Sequence, residues 1–365
     1  MLKWNYKSDS QQSTGYEDVK DILKSYTPKD FKAADDITKT KMIDDVLAIY
    51  RSKNIFPIIY FNEDGLVNEV KKCIKRDVVI EGNILNKRYL QGQALCRYMF
   101  PNMFLARVPR EGNPSIYDRF YSDKHLKRAI KFALSHRDGI APSDIRLSLE
   151  MTGQTPTNFN SMKAKAIFER YTPKNGVIYD FAAGYGGRMV GALTSSNNYT
   201  YLTVEPCSDT YTNLNRLGEL IESVTKRKDS YKIHKIGSED FKGDANSVDF
   251  AFSSPPYFNL ELYSNEDTQC YIKYPQLDMW LEGYVRQTIK NIYYMLKPNC
   301  YYAVNIADFK VGSKVFNYVD KWLKISEEEG FMYYEEIYLK VEDRCQHNHK
   351  SNNNKKEGIF VFKKV

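Results

Sequence analysis

The sequence predicts an α/β fold, in which a mostly parallel sheet ends in an antiparallel hairpin and a mainly helical region precedes it. From residue 177 onward, short apolar runs alternate with amphipathic stretches, as expected for repeated βα units that build a parallel sheet. The last two apolar runs are joined by a polar loop instead of a helix, so they are expected to pair as a hairpin. Before residue 112, helical spacing of apolar residues dominates.

Composition bounds the class of protein. The chain has 365 residues, 42% of them hydrophobic, which is enough for one large domain and a smaller one. We expect an N-terminal region over 1–112 and an α/β domain over 113–365, with a junction near Pro109–Pro114. The sequence has no apolar run long enough for a bilayer, no signal-peptide core at its start and no paired spacing among its six cysteines. These features predict a soluble cytoplasmic protein.

The N-terminal region is predicted to be helical but carries no motif that we can name. Helices are expected over Thr38–Arg51 and Leu66–Lys75, with a short strand over Ile55–Phe61 between them. Residues 1–110 contain 19 Lys and Arg against 14 Asp and Glu, and so carry most of the net charge of +7. This excess is compatible with a polyanion partner without requiring one.

A further amphipathic helix is predicted over Ser122–His136. Its apolar residues recur at i, i+4, i+7 and i+8, and its basic residues share a different face. The basic residues are Lys124, Lys127, Arg128 and Lys131. The basic face is either a solvated surface or a stripe that follows a phosphate backbone.

The α/β domain is predicted from its alternating pattern. Strands are expected over Val177–Phe181, Tyr201–Glu205, Tyr231–Ile236, Val248–Phe252, Tyr301–Ile306, Met332–Val341 and Gly358–Lys363. Helices are expected over Arg188–Ser195, 208–225, Trp280–Leu296 and Val315–Glu329. Because open α/β sheets bind ligands at the carboxyl ends of their strands, the residues after these strands are the candidates for a site.

The loop Ser254–Tyr257, with the sequence Ser-Pro-Pro-Tyr, directly follows one predicted strand. Two consecutive prolines fix φ twice and remove two backbone donors, so the strand cannot continue through them. The result is a stiff loop that offers the Ser254 hydroxyl and the Pro255 carbonyl as acceptors, with an aromatic ring beside them. Such an arrangement suits a planar amino group.

A glycine-rich turn, Asp180–Arg188, follows the first predicted strand of the domain and opens a helix. Its small residues allow the backbone to turn tightly and to approach a ligand. It is not the dinucleotide fingerprint, because Met189 stands where the third glycine would be needed.

Two acidic positions follow the next two strands. Glu205 comes 25 residues after Asp180 and can accept hydrogen bonds from both hydroxyls of a ribose. Glu239, Asp240 and Phe241 lie after the third strand, where a carboxylate or backbone group can receive an adenine amino group and the ring can pack on the base. The alternative for these three residues is an acidic turn that caps a helix.

These motifs resemble those of the S-adenosylmethionine-dependent amino-methyltransferases of the DNA cytosine-N4/adenine-N6 type. Asp180–Gly187 resembles the family's cofactor motif, usually written around FxGxG, with Ala182 at the phenylalanine position. Ser254–Tyr257 resembles its catalytic (S/D/N)PP(Y/F/W) motif, and Ser253–Tyr263 is similar to methylases encoded by bacteriophages and mobile elements. Pro156–Asn160 resembles the segment that covers the methionine end of the cofactor. The resemblance covers about residues 150–365, and it implies the cytosol of a bacterial or phage-infected host cell.

The resemblance implies a class I methyltransferase fold, S-adenosylmethionine as cofactor and no metal. The catalytic residues that it implies are Ser254, Pro255, Pro256 and Tyr257. The cofactor-binding residues that we predict are Phe159, Asp180, Ala182, Ala183, Gly184, Gly186, Glu205, Glu239, Asp240 and Phe241. Cys345–His349 offers at most three metal ligands in one short loop, so no metal site is predicted there.

The resemblance also implies that the substrate is an exocyclic amino group of a base in DNA. Serine before the two prolines resembles the cytosine-N4 enzymes more than the adenine-N6 enzymes. The sequence has no target-recognition insert between Asp180 and Ser254, so recognition is expected from the N-terminal region or from surface loops. RNA bases, glutamine side chains of proteins and a non-catalytic cofactor-binding or nucleic-acid-binding subunit stay as alternatives.

Overall fold

A computed structural model describes residues 9–85, 89–108, 114–151, 157–311, 314–340 and 356–365. The chain forms two units that interleave along the sequence. Unit 1 comprises Met1–Asn68, Ala94–Thr157 and Leu260–Ser264, and unit 2 comprises Glu69–Gln93, Asn158–Asn259 and Asn265–Val365. The predicted division of roles between 1–112 and 113–365 stays a prediction. Residues 109–113 of the predicted junction, and the Cys345–His349 cluster, lie outside the described residues.

Unit 1 is helical where the structure describes it. Its helices are α1 (Asp9–Leu23), α2 (Pro28–Ala33), α3 (Asp36–Lys53), α6 (Ile116–Tyr121), α7 (Asp123–His136) and α8 (Pro142–Met151), and α4 (Glu63–Ile74) and α5 (Gln93–Met99) cross its boundaries. The Asp35 side chain caps α3 by accepting a hydrogen bond from the Thr38 N–H at 2.7 Å. The segment Leu260–Ser264 joins this unit through a two-residue bridge between Arg107 and Leu262.

The strand predicted over Ile55–Phe61 is wrong. The Ile58 N–H donates to the Phe56 carbonyl at 2.8 Å, which closes a three-residue turn around Pro57. Proline has no N–H to give to a sheet, so the apolar side chains here are buried by packing and not by strand pairing. The Phe56 ring lies 5.0 Å from the rings of both Phe104 and Phe120.

Unit 2 is built on an eight-stranded sheet with the order β1-β9-β10-β6-β5-β2-β3-β4. Its strands are β1 (Ile84–Leu85), β2 (Val177–Asp180), β3 (Thr200–Val204), β4 (Tyr231–His234), β5 (Val248–Ser253), β6 (Leu296–Ile306), β9 (Phe331–Lys340) and β10 (Lys356–Lys364). Strands β2 to β6 pair in parallel, whereas β10 runs antiparallel to both β6 and β9. The predicted parallel sheet with a terminal antiparallel hairpin is confirmed. A separate hairpin joins β7 (Phe309–Val311) to β8 (Lys314–Phe316).

Strand β1 was not predicted. It is two residues long, comes from the N-terminal part of the sequence and pairs in parallel with β9 at the edge of the sheet. A strand this short has no period that a sequence pattern can reveal.

The helices of unit 2 include the four predicted for the α/β domain, two of them with changed bounds. They are α9 (Ser161–Tyr171), α10 (Gly187–Leu193), α11 (Ser208–Thr225), α12 (Cys270–Lys273), α13 (Leu277–Trp280), α14 (Gln287–Met295) and α15 (Tyr318–Glu328). Of these, α9, α12 and α13 were not predicted. The helix predicted over Trp280–Leu296 is interrupted by a π-helical turn over Leu281–Arg286. The helix predicted from Val315 begins only at Tyr318, because β8 occupies its first residues. No helix among the described residues is long and apolar enough to cross a membrane.

Candidate active site

The glycine-rich turn leaves β2 and enters α10 with two residues in the left-handed region. Gly184 has φ of 56° and Gly186 has φ of 75°, a conformation that L side chains rarely adopt. The Ala183 N–H donates to the Val204 carbonyl of β3 at 3.3 Å, which ties the turn to the neighbouring strand. A Cβ atom added to Gly184 would make only ordinary contacts, at 3.9 Å from its nearest neighbours, so the positive φ and not a lack of room is the reason for glycine here.

Asp180 is fully buried at the end of β2 and is held by the protein itself. One carboxylate oxygen accepts from Arg188 Nε at 2.7 Å and from the Tyr201 hydroxyl at 2.5 Å. The other oxygen accepts from the Ala182 N–H at 3.3 Å, and Arg188 also donates to the Ala182 carbonyl. Asp180 therefore fixes the shape of the turn, and its predicted contact with a cofactor stays a prediction.

The segment before α9 lies directly against this turn. Asn158 Nδ2 donates to the Tyr185 carbonyl at 2.9 Å, and the Phe159 carbonyl lies where a Cβ atom on Gly187 would be. The half-buried Phe159 ring packs edge-on against Phe252 of β5 at 5.3 Å. Phe159 thus lies next to the turn, and its predicted contact with a cofactor stays a prediction, whereas Pro156 of the same motif lies outside the described residues.

Glu205 follows β3 and is 8% exposed. Its Oε1 accepts a hydrogen bond from the Cys207 N–H at 2.8 Å. Burial raises the pKa of Glu205 to about 8, although the backbone N–H groups of Cys207 and Gly184 lower it. The contact with Gly184 brings this carboxyl group to the glycine-rich turn.

The acidic segment after β4 holds a buried carboxylate. Glu239 is 4% exposed, and its Oε1 accepts from Lys273 Nζ at 2.6 Å. Its Oε2 has no hydrogen-bond partner among the described residues, and Gly237 leaves the room that this oxygen occupies. Burial raises the pKa of Glu239, and Lys273 opposes that effect. Lys273 also pairs with Asp240, whose side chain is exposed.

Phe241 belongs to the packed interior. It is 9% exposed, and its ring lies 4.5 Å from the His234 ring and 5.8 Å from the Tyr179 ring. These contacts account for its burial without a ligand, so its predicted contact with a base stays a prediction.

The acceptor loop begins where β5 ends at Ser253. The Ser253 hydroxyl donates to the Ala182 carbonyl at 3.2 Å, which joins this strand end to the glycine-rich turn. Pro255 is buried, Ser254 is half-buried, and the Pro256 carbonyl accepts from the Tyr318 hydroxyl at 3.3 Å.

Aromatic rings support the loop. The Tyr257 ring lies 5.4 Å from Tyr318, which in turn lies 5.6 Å from Trp280. Phe258 has φ of 50°, an uncommon value for a bulky residue, and its buried ring packs on Trp280 at 5.7 Å. The loop therefore leaves the strand in one fixed direction.

The structure brings the predicted residues to one edge of the sheet, and it adds partners that the sequence analysis missed. The missed residues are Arg188, Tyr201, Lys273 and Tyr318. Arg188 had a signal, because it is the one charged residue in the otherwise apolar helix α10. Lys273 and Tyr318 bind partners that lie far away in the sequence, and no local pattern marks them.

No family model and no curated protein matches the sequence. Solved structures similar to this chain include geranyl diphosphate C-methyltransferase from Streptomyces coelicolor A3(2), with 11% identity over 56% of this chain and 78% of that chain and a TM-score of 0.38. A putative S-adenosylmethionine-dependent methyltransferase from Listeria monocytogenes has 10% identity over 56% and 99% of the two chains and a TM-score of 0.37. A TehB-like S-adenosylmethionine-dependent methyltransferase from Corynebacterium glutamicum has 12% identity over 60% and 95% and a TM-score of 0.35.

Identities and TM-scores this low carry no argument about ligand or substrate. The fold follows from the sheet itself. The strand order β4-β3-β2-β5-β6-β10-β9, with β10 antiparallel to both its neighbours, is that of the class I methyltransferase fold predicted from the sequence.

Proposed function

We propose that this protein transfers a methyl group from S-adenosylmethionine to the exocyclic amino group of a base in DNA, with cytosine N4 favoured over adenine N6. The observation that carries the proposal is the pair of acceptors after β5. Among the described residues, none donates a hydrogen bond to the Ser254 hydroxyl oxygen or to the Pro255 carbonyl, whereas the next carbonyl is occupied by Tyr318. Two available acceptors beside Tyr257 match the two N–H bonds of a flat amino group.

The residues after β2, β3 and β4 fit the cofactor. Gly184, with φ of 56°, carries no side chain beside the turn, and the buried Glu205 carboxyl group is suited to accept from ribose hydroxyls. The unpartnered Oε2 of Glu239 is suited to accept from an adenine amino group. When bound, S-adenosylmethionine supplies a methyl group already activated by its sulfonium.

The acceptor loop would act by holding the nitrogen. An amino nitrogen on cytosine or adenine donates its lone pair into the ring and is a poor nucleophile. By accepting both N–H bonds, Ser254 and Pro255 favour a pyramidal nitrogen, while Tyr257 stacks on the base. Positioning of this kind can supply several kcal/mol of the barrier reduction. A base in a duplex must first be flipped out, at a cost of a few kcal/mol.

A nucleic-acid substrate is supported by the basic face of α7 in unit 1. Its basic residues Lys124, Lys127, Arg128 and Lys131 are all exposed, and the opposite face is buried. Lys127 pairs with Asp44 of α3 at 2.7 Å. Exposed cations at successive helical turns suit contact with phosphates.

The test is incubation with labelled S-adenosylmethionine and unmethylated genomic DNA, followed by mass spectrometry of the nucleosides. We expect N4-methylcytosine. Ser254→Ala should lower the rate about 100-fold, because it removes one acceptor that aligns the nitrogen. Ser247→Ala is the matched control, since Ser247 precedes β5 at its other end and its hydroxyl bonds to the Asp244 carbonyl.

Three results would count against the proposal in different ways. N6-methyladenine would reverse the preferred base, and label in RNA alone would replace the substrate. Equal rates for wild type and Ser254→Ala would remove the proposed role of the loop.

A further inference from the structure

We infer that Gln269 and Glu239 together bind the polar edge of the adenine ring of the cofactor. Gln269 belongs to residues 266–273, a segment that we call the strap. This inference rests on the proposed function, because the ligand is the adenosine half of S-adenosylmethionine. Its basis is the anchoring of the strap at two strand ends, together with two buried polar atoms that have no hydrogen-bond partner in the part of the chain that the structure describes.

The first half of the strap is fixed beside the end of β3. The Glu266 carboxylate accepts from the Ser208 N–H at 3.0 Å and from the Ser208 hydroxyl at 2.7 Å. The Thr268 hydroxyl donates to the Pro206 carbonyl at 3.2 Å. Pro206 directly follows Glu205 and Ser208 comes three residues after it, so this part of the strap lies near the carboxyl group proposed for the ribose.

The second half of the strap is fixed beside the end of β4. Lys273, the last residue of α12, reaches Glu239 Oε1 at 2.6 Å and also pairs with Asp240. The Trp280 indole N–H donates to Cys270 Sγ at 3.3 Å and so holds α12 at its start. Because β3 and β4 are neighbours in the sheet, the strap passes over the edge where an adenosine would lie.

Two atoms in this region are buried without a hydrogen bond among the described residues. They are Nε2 of Gln269, which is 5% exposed, and Oε2 of Glu239, which is 4% exposed. Gln269 lies one helical turn before Lys273, the residue that holds Glu239, and its carbonyl accepts the Lys273 N–H at 3.0 Å. Buried polar atoms are nearly always partnered because an unsatisfied one is costly. A donor and an acceptor left without partners on adjoining segments indicate a ligand that supplies both.

Adenine supplies this pair of groups. Its N6 amino group is a donor, and a ring nitrogen beside it is an acceptor. Glu239 would accept from the amino group while Gln269 donates to the ring nitrogen. Hypoxanthine carries an oxygen in place of the amino group and would set two acceptors against each other, so the pair selects an adenosine cofactor over an inosine one. Lys273 is a positioning residue that occupies Oε1 and leaves Oε2 for the base.

The test is calorimetric titration of S-adenosylhomocysteine, and of its 1-deaza and 7-deaza analogues, into wild type and Gln269→Leu. We expect the variant to bind S-adenosylhomocysteine about tenfold more weakly, since one buried hydrogen bond is lost. One deaza analogue should bind wild type more weakly by a similar factor and show no further loss in the variant. Gln276→Leu is the control, because Gln276 is an exposed glutamine just beyond the strap.

Stability of the ligand-free protein separates this role from a structural one. Gln269→Leu removes a buried amide nitrogen that has no partner among the described residues, so its Tm should equal or exceed that of wild type. A lower Tm with unchanged affinity would assign Gln269 a structural role and overturn the inference. Equal affinity of both proteins for every analogue would also overturn it and leave the proposed function standing. No binding of S-adenosylhomocysteine to wild type would overturn the proposed function itself.

Discussion

Glu205 is the residue whose protonation most directly links the site to pH. Burial raises its pKa to about 8, from 4.5 for an ordinary glutamate. Between these two values the folded protein keeps the proton and the unfolded chain releases it. The folded state therefore binds more protons in this window, and the free energy of unfolding falls as pH rises through it.

We expect Glu205→Gln to remove this loss of stability. Between pH 5 and 8, the free energy of unfolding of wild type should fall relative to the variant by roughly 3–5 kcal/mol, as a shift of this size implies. Urea denaturation at several pH values measures the difference, with Glu219→Gln at an exposed position of α11 as the control. A difference between wild type and Glu205→Gln that stays constant with pH would contradict the expectation.

At the level of elements, a side chain of one helix completes the end of another. Lys165 of α9 is 4% exposed, and its Nζ donates to the carbonyls of Cys73, Ile74 and Arg76 at 3.2, 3.3 and 2.9 Å. Cys73 and Ile74 end α4 and Arg76 lies two residues beyond it. The last C=O groups of a helix lack partners within it, and the helix dipole favours a cation at this end. The buried ammonium is thereby compensated.

Replacing this cation should weaken the attachment of α4. Lys165→Met keeps the apolar stem but leaves three carbonyls without their donor, so we expect a loss of about 2–4 kcal/mol in the free energy of unfolding. Chemical denaturation measures it, with the exposed Lys174→Met as a control that should change little. A loss no larger than that of the control would show that solvent replaces the ammonium at no cost.

The elements that the sequence predicts well are those with a repeated period. Strands β2 to β6 were predicted from the sequence because apolar runs alternate there with amphipathic helices. The packing of the folded chain agrees with that pattern. The run at Ile55–Phe61 has the composition of a strand, but Pro57 closes a turn there and its residues are buried by ring packing. The π-helical turn at Leu281–Arg286 is six residues long, which is too short for its own period to show in the sequence.

The candidate site was predictable where a residue type and a strand end coincide. Asp180, Glu205 and Ser254 each stand at or just after the carboxyl end of a strand, and the structure places them at one edge of the sheet. Their partners were not predictable in the same way. Lys273 reaches Glu239 across 34 residues, and only the folded chain brings such groups together.

At the level of the whole molecule, the net charge of +7 matters through its distribution. If unit 1 carries the DNA contact, the basic face of α7 should act through phosphates and not through base edges. Binding would then depend strongly on salt and weakly on sequence.

Charge reversal on α7 tests whether this face binds DNA. Lys124→Glu combined with Lys131→Glu should weaken binding to a double-stranded oligonucleotide at least about tenfold and reduce the slope of log affinity against log salt by about 2, because two phosphate contacts are lost.

Lys71→Glu combined with Lys75→Glu is the control, because it makes the same change in net charge on exposed residues of unit 2. Fluorescence anisotropy over a salt series compares the two double variants. If both weaken binding equally, net charge alone steers the DNA and α7 is a solvated surface; if the α7 variant alone does so, the helix tracks the backbone. Affinity for S-adenosylhomocysteine should be unchanged in both variants, since neither pair lies among the residues proposed to hold the cofactor.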